Sequence, residues 1–180
     1  MKLHQYELTV LGAEETQEGY VLLGHGQRYS LRIANEESMR CDVELHIDGN
    51  HVGTFRLDGK SSAVIERPVE DNGYFTFYEL ATDEAKRSGL TRHEATGLVT
   101  AIFKPEALVL SSSPSLGSPS IGGTGLSGHS KQEFTTVRPL HYANPEEFVT
   151  INLRLGGVPA SDIRPLSKRQ MSTLVPPPLS

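Results

Sequence analysis

The chain has 180 residues, 37% of them hydrophobic and 22% charged, proportions that argue against both wholesale disorder and a helical membrane protein. Its formal charge of -5 argues against a non-specific nucleic-acid binder, which needs a concentrated positive face. No apolar run approaches the ~20 residues that cross a bilayer, and a domain of this length buries roughly 70% of its unfolded surface without needing staples.

Most of the first hundred residues alternate apolar and polar side chains between turn signals, which predicts short, half-buried strands. Tyr6, Leu8 and Val10 form one such set, Tyr29, Leu31 and Ile33 a second, and Cys41, Val43, Leu45 and Ile47 a third. Asp48-Gly49-Asn50 then interrupts the alternation. Such residues accept the positive φ of a tight turn, so residues 41–57 are predicted to form a hairpin. Asp58-Gly59-Lys60 turns again into a strand over 61–66, which Pro68 ends or confines to an edge. The aromatic run Tyr74-Phe75-Thr76-Phe77-Tyr78 is expected to be a covered strand. One short helix is predicted, capped by Thr82 and stopped at Gly89, with Asp83 and Glu84 early and Lys86 and Arg87 late. Residues 97–104 return to strand, with Val99, Ala101 and Phe103 on one side.

Composition then changes. Residues 111–130 are a Ser/Gly/Pro tract, expected to be a flexible loop. Phe134 and Val137, then Phe148, Val149, Ile151, Leu153 and Leu155, are expected in strands that return to the same sheets. From Pro159 the chain is proline-rich and weakly basic, with Arg164, Lys168 and Arg169 ahead of Pro176, Pro177 and Pro178. An extended tail over 159–180 is predicted, and these six residues are its candidate interaction residues. The fold expected is therefore all-β, a single β-sandwich of jelly-roll or immunoglobulin-like type over 1–158. Residues 1–110 carry 11 basic against 18 acidic side chains and residues 111–180 carry 6 against 4. That asymmetry suits contact with a complementary surface, another copy of the chain included.

No motif carries recognisable chemistry. The single Cys41 falls among buried-face residues and is expected to be an inert thiol. Gly123 to Ser130 has the spacing of a phosphate loop but places His129 where lysine is required, and no helix is expected after it. Ser127 lacks the second glycine and the helix of a nucleophile elbow. His46, Asp48 and His51 bracket the hairpin turn and are the candidate ligands of a metal-dependent enzyme, although the spacing matches no dedicated site. His93-Glu94 has no second histidine at helical spacing. Arg40 with Asp42, and Glu66 with Arg67, are expected to form local ion pairs. Tyr74, Tyr78 and Tyr142 could stack on a sugar, though the chain has no tryptophan. No catalytic residue and no cofactor is assigned.

The segments Tyr29 to Asn35, Arg40 to Gly49, Val52 to Leu57, Glu66-Arg67-Pro68 and Gly125 to Phe134 resemble uncharacterised β-rich proteins of tailed phages and large DNA viruses. The resemblance covers about half the chain and implies a virus-associated β-sandwich without catalytic residues. The expectation is a non-enzymatic structural or adaptor component of a larger assembly: a minor capsid, decoration or attachment protein of a virion. Its partners are expected to be capsid proteins or further copies of itself, with neither nucleic acid nor membrane. A glycan- or small-ligand-binding module and the metal-dependent enzyme are the alternatives. Residues 1–7 lack the apolar core of a signal peptide, so a virion or cytoplasmic location is expected rather than classical secretion.

Overall fold

The computed structural model describes residues 1–107 and 126–158, and they are all-β. The strands are β1 (Lys2–Leu3), β2 (Tyr6–Leu11), β3 (Glu14–Glu15), β4 (Tyr20–Leu23), β5 (Ser30–Asn35), β6 (Cys41–Ile47), β7 (Asn50–Leu57), β8 (Ser61–Ile65), β9 (Tyr74–Phe75), β10 (Leu98–Pro105), β11 (Leu126–Ser127) and β12 (Val149–Gly157). They make a four-stranded sheet in the order β1-β2-β5-β8, a six-stranded sheet β3-β4-β12-β10-β6-β7, and a small pair β11-β9. Every pair is antiparallel except β4 with β12, where Tyr20 to Leu23 run alongside Arg154 to Gly157.

The predicted alternation holds in the larger strands. Leu8 and Val10 on β2, and Leu31 and Ile33 on β5, share one buried cluster with Val43 and Leu45 of β6, Val99 and Phe103 of β10, and Ile151 and Leu153 of β12. Residues at i and i+2 of a strand share a face, so each sheet contributes one apolar face to that cluster. Tyr6 of the smaller sheet stacks on Phe103 of the larger, ring centroids 4.7 Å apart.

The β6–β7 hairpin turns where predicted. Asp48 and Gly49 occupy the left-handed region, at φ 54° and 79°, and Ile47 pairs with Asn50 across the two-residue turn, the geometry whose twist suits a hairpin. The short helix α1 spans Asp83–Arg87, and Thr82 caps it by accepting from the Ala85 amide at 3.3 Å.

Four expectations need correction. The aromatic run is a strand only over Tyr74–Phe75; beyond it Phe77 donates to Gln27 O and accepts from Gly26, so the chain pairs locally with the residues before β5. The loop expected over 111–130 is tied down at its end, because Leu126–Ser127 pair with β9 and the Ser127 hydroxyl bonds Thr76 at 2.7 Å. Residues 131–137 form no strand. They are held by side chains, with Gln132 donating to Val64 O at 2.6 Å and Phe134 lying against Phe55. The expected local ion pairs are absent: Arg40 pairs with Glu106, Asp42 with Arg56, and Arg67 bonds backbone carbonyls. Residues 111–125 of the expected loop and the tail 159–180, with Arg164, Lys168, Arg169, Pro176, Pro177 and Pro178, lie outside the described residues.

Candidate functional site: a cleft at one end of the six-stranded sheet

Three parts of the chain meet where β10 begins and β12 ends. The β6–β7 turn supplies Asp48; residues 76–80, which follow β9, form one wall; the segment 90–97 forms another. Between them lies a cavity of about 550 Å³, floored by Tyr29 and the end of β12 from Arg154 to Val158. That volume falls in the range typical of small-ligand sites, roughly 300–1,000 Å³.

Local chemistry fixes these walls. Gly97 sits at φ +76°, and a Cβ there would lie 2.7 Å from Leu155 O, so only glycine allows β12 to approach this closely. Its amide donates to Asp48 Oδ1 at 2.6 Å. Arg154, opposite Leu98 in the ladder, turns its guanidinium back onto the wall and donates to Thr96 O at 3.0 Å and Glu94 O at 3.1 Å. Thr96 closes the segment further, donating to Thr91 O and accepting from the His93 amide. On the other side Thr82 donates to Glu79 O, which joins that wall to the start of α1.

Two polar groups inside are not fully paired. Tyr29 is 5% exposed, its ring stacked on Phe75 at 5.6 Å, and among the described residues its hydroxyl has no hydrogen-bond partner. Burial pushes its pKa up, and the charge of Asp48 adds to the effect. The Asp48 carboxyl is also raised, because burial outweighs the Gly97 amide and the nearby His93, both of which favour the anion. Its second oxygen has no partner among the described residues. A half-buried acceptor within electrostatic reach of a buried hydroxyl is an arrangement that an entering polar group stabilises.

Of the residues that line this cavity, sequence reasoning weighed only Asp48, Tyr78 and His93 for a functional role, and dropped His93. The proposed metal set is not assembled. The His46 and His51 rings meet edge to face at 5.3 Å, with His46 on Glu44 and His51 on Thr54, but Asp48 is engaged with Gly97. The left-handed turn at Asp48 re-aims its side chain relative to the flanking strands. Among the described residues no three His, Cys, Asp or Glu side chains are placed to hold a metal ion.

The tyrosine platform is likewise dispersed. Tyr78 lines the cleft, Tyr74 lies under Arg28, and Tyr142 donates to Asp42 at 2.9 Å. Cys41 is fully buried, and desolvation followed by the charge of Asp42 pushes its thiol up to about 12, so little thiolate forms near neutrality. Of the glycine-rich motif, Leu126–Ser127 form strand rather than a helix start. Among the described residues no helix is long and apolar enough to cross a membrane.

The cleft residues the sequence reading missed carried weak signals. Tyr29 read as an ordinary core residue, Gly97 as a strand start, and Leu155 as the end of an alternating series. Comparison with family models, curated proteins and solved structures finds no match to this chain.

Proposed function

We propose that this chain is a non-enzymatic, immunoglobulin-like β-sandwich whose working part is the cleft at the end of the six-stranded sheet, where it holds a small polar ligand. The observation that carries the reading is the pair of incompletely bonded polar groups, Tyr29 and Asp48, lining a ligand-sized cavity. The strand order supports the architecture. Taking β2, β4, β5, β6, β7, β8, β10 and β12 as A, A′, B, C, C′, E, F and G gives one sheet A-B-E and another A′-G-F-C-C′, the order of immunoglobulin-type sandwiches. The cleft then lies where the C–C′ turn, the E–F connection and the end of G converge.

Ligand-observed NMR with a mixture of polar fragments tests this on the full chain and on Leu90→Trp, which narrows the cleft. Fragments are expected to bind the unmodified chain and to lose their signal with the variant; equal binding to both overturns the reading.

A second reading, a structural or adaptor component of an assembly such as a virion, draws on β7. That strand has a neighbouring strand on one side only; on its free edge the Val69 amide donates to Val52 O at 3.0 Å, but Thr54 at its centre is exposed, so part of the edge is left for another strand. Light scattering on the full chain and on a chain ending at Val158 tests it: a full-length oligomer supports assembly, and a monomer in both counts against self-association.

A further inference from the structure

Resting on the cleft reading, the chemistry of its lining narrows the ligand. Charges of both signs surround the cavity, Asp48 and Glu79 against Arg92 and Arg154. Neither a cation nor an anion therefore meets a field of one sign. Arg154 is already committed to two backbone carbonyls and Arg92 is exposed to solvent, so neither presents a buried, free fork to a carboxylate or phosphate.

Arg92, His93 and Glu79 are exposed to solvent, so among the described residues the inner groups left to pair are an acceptor-only carboxylate oxygen of Asp48 and the Tyr29 hydroxyl, which both donates and accepts. A hydroxyl on the ligand serves both, donating to Asp48 and accepting from Tyr29, whereas a ligand carboxylate cannot donate to Asp48 and an ammonium meets the Arg92 guanidinium nearby. Phe77 and Tyr78 also line the space, and an aromatic face packs against the C–H face of a saturated ring through dispersion.

We propose that the cleft takes a neutral polyhydroxylated ring, a single sugar unit, with its hydroxyls paired to Tyr29 and Asp48 and one ring face against the Phe77–Tyr78 wall. The test is a ¹⁵N–¹H titration of the full chain with glucose, galactose and mannose, and with glucosamine and glucuronate as charged analogues, beside the polar fragment mixture. At least one neutral sugar is expected to shift the amides of Thr96, Gly97 and Leu155 to Val158. It should bind about tenfold tighter than its charged analogues, and Tyr29→Phe and Asp48→Asn should each weaken it about fivefold.

A charged analogue that binds as tightly as the neutral sugars overturns the proposal, as does undiminished binding by both variants. Fragments shifting those amides while every sugar fails would sink the ligand class and leave the cleft reading standing; silence from sugars and fragments alike removes both. If either variant loses its dispersed spectrum, the neutral-against-charged comparison on the unmodified chain decides.

Discussion

Arg67 is 6% exposed and faces no carboxylate among the described residues. Its guanidinium donates to the carbonyls of Gln132, Pro68 and Asp71, at 2.9 Å from Nε to Gln132, 2.9 Å to Pro68 and 3.0 Å to Asp71, and it lies 4.4 Å from the centre of the Phe134 ring. One side chain thereby ties the strap 130–134 to the turn after β8. Charge-assisted bonds contribute about 1.5–3 kcal/mol each in favourable cases, and truncation leaves several carbonyls unpaired. Arg67→Ala is therefore expected to cost about 2–4 kcal/mol in urea unfolding, with Arg67→Lys recovering little because an ammonium cannot span the same fork. A loss below about 0.5 kcal/mol contradicts this, since that is the scale of ordinary surface substitutions. The sequence showed a charge beside Glu66 and a proline, and local pairing was the natural expectation. Carbonyl acceptors have no signature in a sequence, so the true partners were illegible.

At the scale of elements, alternation made β2, β5, β6, β10 and β12 legible because each buries one face, and period 2 is a record of burial, whereas β7 and β8 were legible from the turns that precede them. The hairpin at Asp48-Gly49 was legible for a different reason, the positive φ that few residues accept. What did not show was pairing. β4 is an apolar run of four residues, and its parallel partnership with β12 depends on a chain segment more than 130 positions away. The short β9–β11 ladder depends equally on distant residues. The polar face of the six-stranded sheet has a testable coupling: Glu44 on β6 bonds Lys104 on β10 and His46 on its own strand. Burial acts to raise its carboxyl, but those hydrogen bonds and charges outweigh it and hold the pKa below the usual range. A depressed carboxylate stabilises the fold above its unfolded pKa and loses that contribution as pH falls through the folded value. Glu44→Gln is thus expected to flatten the acid limb of stability measured by thermal melting between pH 3 and pH 6, leaving a smaller difference from the parent at low pH than at neutral pH. Parallel profiles across that range contradict the coupling.

For the whole molecule, the two larger sheets share one cluster of buried side chains, so they are expected to unfold together. Phe103 is fully buried and stacks on Tyr6, whose hydroxyl is pushed by burial up to about 12. Phe103→Ala should cost about 3–5 kcal/mol in a single transition seen alike by far-ultraviolet dichroism and tyrosine fluorescence; two separated transitions contradict the shared core. The fold class was legible because a core is written in many residues at once. The cleft was not, since it arises where a turn, a connection and a strand end converge, and each contributes one or two residues that look structural in isolation.

The most direct test of the account is to map binding on the protein itself, by titrating the ¹⁵N-labelled full chain with the polar fragment mixture and assigning the amides that move. The account predicts shifts gathered at Asp48, Thr96, Gly97 and Leu155 to Val158. Shifts confined to the outer face around His46, His51 and Thr54, or no shifts at all, would contradict it.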